Sequence, residues 1–264
     1  MSANSIRSGS PIPVIARNAF REAVRDRILY NLILFVLMIT ACAVFIGELT
    51  VGQEARVIVN LGLSAMLVFG TFISIFVGVS LVWKEIEKRT VYSIFSKPVR
   101  RSQFVIGKYL GLCLTLLVNV AVMGVGVTLA LVYVGGGPLV WAIWPAILFI
   151  FLELTAITAV AILFSSFSTP ALSAMLTFAV FVIGHFSTSL RELAQTMPSQ
   201  AARTVFDAVY YLLPNFSHFS FITETANGLL PPTPMLIAST GYAVIWDIVL
   251  LTVAVVIFSR RNFK

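Results

Sequence analysis

Apolar runs of about 20 residues recur along the whole chain, and a segment that long and that free of charge has one comfortable environment, a lipid bilayer. The 264-residue sequence is 59% hydrophobic and 11% charged, with 18 Lys and Arg against 11 Asp and Glu. That charged fraction is under half the usual quarter of a soluble domain, and the mean hydropathy is +0.97. No polar block is large enough to fold separately, so the expectation is a single membrane domain over 1–264, all-α, with six spans. The spans read as about 28–46, 58–82, 104–134, 141–164, 171–187 and 235–258. The run Gly135-Gly136-Gly137-Pro138 stops the third, because glycine and proline both end helices.

Ahead of the first span, Ile12, Ala16, Phe20 and Ala23 gather on one side of a helical wheel and Arg17, Arg21 and Arg25 on the other. This predicts an interfacial amphipathic helix over 12–27. Between the fifth and sixth spans, 188–234 is the longest polar interval. Within it Gln200 to Leu213 reads as an amphipathic helix ended by Pro214.

The distribution of positive charge orients the bundle. Fifteen of the 18 basic residues fall in the amino-terminal segment, in 84–108 or in the tail. By the positive-inside rule, both termini and the 84–108 segment are expected in the cytoplasm of a cell-membrane protein. The 188–234 segment is then external. Cys42 and Cys113 sit inside apolar runs as small hydrophobes, so neither a disulfide nor a metal site is expected.

The charge-dense run KEIEKRTVYSIFSKPVRRSQFVIGK, Lys84 to Lys108, lies between two spans and has to stay in water. Trp83, Ile86, Thr90, Val91, Ile94 and Phe95 share one helical face, with Glu85, Lys88, Arg89 and Tyr92 mainly away from it. Pro98 breaks that helix, and Ser102 is placed to cap the next. An ordinary interfacial loop whose charges only fix topology would also read this way.

Three motifs in and just after this run, Glu85-Ile86-Glu87-Lys88-Arg89-Thr90, Ser96-Lys97-Pro98-Val99-Arg100-Arg101 and Gly107-Lys108-Tyr109-Leu110-Gly111, resemble the cytoplasmic loop of type 2 ABC transporter permeases. Ala16 to Ala23 is similar to that family's amino-terminal helix. Tyr210-Tyr211-Leu212-Leu213-Pro214-Asn215 resembles the external segment of its branch grouped with multicopper-enzyme and nitrous-oxide-reductase maturation permeases. Ile94-Phe95-Ser96 stands where Leu-Leu is usual, and Lys88-Arg89 where glycine is common.

The resemblance implies that 84–102 is a coupling helix seated in a groove of a separate cytoplasmic ABC ATPase subunit. Its contact residues would be Glu85, Glu87, Arg89, Thr90, Val91, Tyr92, Ile94, Phe95, Lys97, Pro98, Arg100 and Arg101. Two copies of the chain with two ATPase subunits would make the transporter, with export the expected direction and ATP and Mg bound by the ATPase. The sequence contains no G-x-x-x-x-G-K-[ST] phosphate loop, so the chain itself is expected to bind no cofactor and to have no catalytic residue.

Glu153 and Asp247 sit near the middle of the fourth and sixth spans. A charge there costs about 2.5 to 3.5 kcal/mol, so each needs a cavity, a partner or a proton. They either line a translocation path, with Asn119 a further candidate, or act as hydrogen-bonded structural glue. His185 leans structural on the same reading, and His218 has no second histidine near it. The alternative function is a proton-coupled secondary transporter using Glu153 and Asp247, although the spans show neither an inverted repeat nor paired broken helices. An intramembrane enzyme finds no constellation to support it. Lipid, peptide, antibiotic and sulfur or metal-maturation species are all open as substrates.

Overall fold

The computed structural model describes residues 11–23, 34–35, 38–39, 41–42, 45, 52–87, 100–196 and 200–260. Its elements in chain order are α1 (Ile12–Ala23), α2 (Glu54–Glu87), α3 (Arg101–Tyr133), α4 (Gly137–Ser165), α5 (Pro170–His185), α6 (Ser187–Thr196) and α7 (Gln200–Leu212). A 3-10 turn (Phe216–Phe219), α8 (Ile222–Ala226) and α9 (Thr233–Arg260) follow, with no strand among the described residues. Among the described residues four helices, α2, α3, α4 and α9, are long and apolar enough to cross a membrane, and α5 with α6 forms a bent pair that makes up to five. The expected first span, 28–46, falls mostly outside the described residues; of it, Phe35 and Ile39 are buried in the core.

α4 is the centre of the bundle. Every residue from Leu152 to Ile162 is buried, as befits a helix that is apolar all round. α2, α3, α5 and α9 pack around it. Small residues permit the close approaches. A Cβ on Gly70 would fall on the Leu154 side chain, and one on Gly62 would lie 2.9 Å from Val127 Cγ2. Gly62 and Gly70 of α2 therefore serve contacts within this chain.

α1 lies along the first turns of α3 in the same manner. A Cβ on Gly111 would stand 2.5 Å from the Ala16 carbonyl oxygen, and one on Gly107 would stand 2.8 Å from Ile15. The contact is closed by Lys108, 4% exposed, whose Nζ pairs with Glu22 Oε2 at 3.4 Å.

Two helix starts differ from the sequence reading. Ser102 does not cap α3: the helix already runs from Arg101, and the Arg100 N–H donates to Gln103 Oε1 at 3.0 Å. α4 starts at Gly137, four residues before Trp141, with Pro138 in its first turn, where a missing N–H costs nothing. Gly135, at φ +76°, makes the left-handed turn between α3 and α4.

One end of the bundle carries α1, the start of α3 and the end of α9. At that end Arg101 Nη1 donates to the Phe258 and Ser259 carbonyl oxygens at 3.1 and 2.8 Å, satisfying acceptors that a helix terminus leaves open. The opposite end carries the starts of α2, α4 and α9, the close of α5, and the described residues of 188–234.

Candidate functional site: a buried carboxylate and imidazole

α5 has 16 residues, about 24 Å of helix. It stops at His185 and turns by 60° into α6. The break is well satisfied: the Phe186 N–H donates to the Val182 carbonyl at 3.1 Å and Ser187 Oγ to the Gly184 carbonyl at 3.0 Å. A broken helix inside a membrane bundle leaves a gap beside its end. Here 214–223 folds back to cover it.

Gly184 makes that cover possible, since a Cβ there would lie 2.5 Å from the Pro214 carbonyl oxygen and 2.6 Å from Phe216. Asn215 pins the segment. Its N–H donates to the Tyr242 hydroxyl at 2.7 Å, its Nδ2 to Thr188 Oγ1 at 3.2 Å, and its Oδ1 accepts from the Ser217 N–H at 3.0 Å. Ser239 Oγ donates to the His218 carbonyl at 3.1 Å, and the His218 ring packs edge-on to Tyr242 with centroids 5.0 Å apart.

Beneath this cover is a cavity of about 330 Å³. α2 contributes Asn60 and Ser64, α4 Glu153, α5 Phe181 and His185, and the cover Phe219, Ser220 and Thr223. Its lining runs along α2 from Asn60 to Val68, about 12 Å of helix. Glu153 is 1% exposed, and its Oε1 stands 3.6 Å from His185 Nδ1. Neither atom has a hydrogen-bond partner among the described residues. His185 also rests against Phe181 and Phe186, ring centroids 5.8 and 5.7 Å away. The sequence reading missed this pairing, although His185 is the only titratable side chain in α5.

Asp247 does not join this site. It is half-buried on α9 and faces Tyr109 and Thr155, with Cys113 of α3 beside Tyr109. Residues 153 and 155 point about 200° apart on one helix. Glu153 therefore faces α2 and α5, while Thr155 and Asp247 lie on the far side of α4. Asn119 is buried in α3; its Nδ2 donates to the Thr115 carbonyl at 2.8 Å, and its Oδ1 finds no partner among the described residues.

Of the expected coupling residues, Glu85 and Glu87 belong to the last turn of α2. Arg89, Thr90, Val91, Tyr92, Ile94, Phe95, Lys97 and Pro98 lie outside the described residues. Arg100 and Arg101 stand at the start of α3 as given above. Among the described residues no three His, Cys, Asp or Glu side chains converge to hold a metal.

A family model described as "ABC-2 family transporter protein" matches residues 14–263. Comparison with curated proteins returns no match.

Proposed function

Because the chain belongs to the ABC-2 transporter family, we propose that it is the permease subunit of an exporter, driven by ATP hydrolysis in a separate cytoplasmic subunit. The family match over 14–263 is the observation that carries this reading. The chain is a multi-pass membrane protein, and family membership implies an ABC ATPase partner. We assign the coupling surface to 84–102, with both termini in the cytoplasm of a six-span permease domain of the cell membrane that works as a homodimer. The narrower placement, in the branch of maturation permeases, rests on Tyr210 to Asn215.

The mechanism follows from the division of labour. Nucleotide-driven closure of two ATPase subunits would displace 84–102, and the spans would move as packed bodies, since close-packed cores shift between arrangements rather than deform smoothly. The apolar face around Val91 and Phe95 and the carboxylates Glu85 and Glu87 would provide the contact. Co-purification tests this: an ABC ATPase subunit that purifies with this chain is expected to be lost when Glu87 is changed to Lys, or when Val91 and Phe95 are both changed to Asp. A stoichiometric complex surviving in both variants would overturn the assignment.

A second reading, a proton-coupled carrier, is favoured by the buried pair Glu153 and His185. Transport into vesicles that follows a proton gradient without ATP would establish it in place of the first.

A further inference from the structure

The cavity under 214–223 places Glu153, 1% exposed, where its ionised form requires a compensating positive charge. Glu153 Oε1 and His185 Nδ1 converge to 3.6 Å, an ion-pair distance just beyond hydrogen-bond range, and neither atom has another partner among the described residues. One way to satisfy them is internal, a proton on His185. The cavity offers a second way, because it has room beside the pair and polar groups at its wall in Asn60, Ser64, Ser220 and Thr223. Phe181 and Phe219 supply aromatic surface there, and aromatic faces attract cations most strongly where water is excluded.

We infer that this cavity binds a small primary amine as its ammonium ion, with Glu153 as counter-ion, in competition with the proton on His185. An ammonium group carries three N–H donors and one charge. It can donate to Glu153 Oε1 and, when the imidazole is neutral, to His185 Nδ1, which satisfies both atoms at once. About 330 Å³ is at the small end of ligand pockets, so the ligand is a compact amine rather than a peptide. A zinc-type metal is disfavoured because the described residues bring one carboxylate and one imidazole together and no third His, Cys, Asp or Glu, where zinc centres use three or four ligands.

The competition sets the sign of the pH dependence. When His185 is protonated it neutralises Glu153 and repels a second cation, so acid weakens amine binding. Among the described residues, the other elements lining the cavity add no titratable group: α2 brings Asn60 and Ser64, and the cover brings Ser220 and Thr223. Glu54, Arg56 and Glu224 are near in sequence to lining residues but do not line the cavity. The role of the bound amine as cargo rests on the permease reading, while the binding itself is a property of this chain.

The test uses the full chain in lipid nanodiscs, with phenethylamine and its uncharged counterpart 2-phenylethanol as probes and binding read by calorimetry. At pH 8 phenethylamine is expected to bind on the order of tenfold or more tighter than the alcohol, since only the amine forms a charge-assisted hydrogen bond. Its affinity is expected to fall about tenfold per pH unit once the imidazole is protonated, as one proton competes for one site. Glu153→Gln should remove the preference for the amine, and His185→Gln should keep it while flattening the pH profile. Should either variant fail to fold, the comparison of amine with alcohol across pH on the native chain decides alone.

Equal affinity for the two probes, an amine preference that survives Glu153→Gln, or tight zinc binding that excludes the amine would overturn the inference. Equal affinity in a chain that still co-purifies with its ATPase would remove the amine site and leave the permease reading standing. Amine-selective binding by a chain that recruits no ATPase would support this site and strike that reading.

Discussion

Lys108 sits in the second turn of a span, 4% exposed, and pairs with Glu22 at 3.4 Å with the Phe104 ring 5.8 Å from the ammonium nitrogen. Removing the carboxylate leaves a buried cation with less compensation than before. Glu22→Gln is expected to destabilise the purified protein by about 1 to 2 kcal/mol, toward the low end for a charged hydrogen bond because Glu22 is partly solvated. A drop in thermal midpoint in detergent checks it, and an unchanged midpoint would show that the pair contributes nothing. The double change Glu22→Leu with Lys108→Met should recover much of the loss, because an apolar pair of similar size carries no desolvation cost. Single charges in apolar runs are conspicuous, so Glu153 and Asp247 were legible as special residues from the sequence. Their partners were not. Glu153 meets His185 across two helices at 32 positions' separation, and no local spacing announces such a pairing.

At the scale of elements, Gly184 decides how the 214–223 cover meets α5. Gly184→Ala puts a methyl group 2.5 Å from the Pro214 carbonyl oxygen, so the cover or the helix must move. The expected cost is about 1 to 3 kcal/mol, with faster amide exchange confined to 214–223 as the diagnostic signal. Uniform exchange at wild-type rates would show that the segment accommodates the methyl group freely. Gly70→Leu, aimed at Leu154, is expected to be worse, since it separates α2 from the centre of the core.

Helix existence was readable here from run length, and the Gly135 to Pro138 stop and the amphipathic stretch from Gln200 were readable from helix-breaking residues. The bend at Phe186 was not. Its satisfaction depends on Ser187 and Gly184 together, and its cover depends on Asn215 bonding to Tyr242 on a different helix. Both are tertiary facts. The Tyr210 to Asn215 motif was noticed for its resemblance alone, and the structure gives its asparagine a mechanical reason.

For the whole molecule, the sharpest contrast is between α4, whose apolar stretch is largely buried, and α9, whose apolar stretch is largely exposed. α9 turns Ile237, Ile245, Ile248 and Val256 outward, toward lipid or, in the proposed homodimer, a second copy. Substituting outward Val249 by Leu should leave stability within about 0.5 kcal/mol. Substituting Ala159 by Leu in α4, at 0% exposure, should cost about 1 to 3 kcal/mol and lower the yield of folded protein, because a close-packed core takes up added volume only through strain. Folded yield by size-exclusion chromatography separates these outcomes.

The proposed orientation is tested in a background with Cys42 and Cys113 replaced by Ala. An impermeant thiol reagent applied outside intact cells is expected to label a cysteine at Leu193, which is exposed on α6, and to spare one at Ser93. The reverse pattern would invert the topology.

The start of α3 is held on two sides. Gly107, Gly111 and Lys108 hold α1 against it, while Arg101 grips the last carbonyls of α9 and Phe104 stacks on Phe258 at 5.9 Å. A load applied at Arg100 is therefore shared immediately by three helices from distant parts of the sequence, as a keystone shares the weight above it. Arg101→Ala is expected to uncouple one of them: nucleotide-dependent exchange changes in the assembled complex should persist in 12–23 and fade in 250–260. Parallel loss in both segments would mean that the load travels by another route.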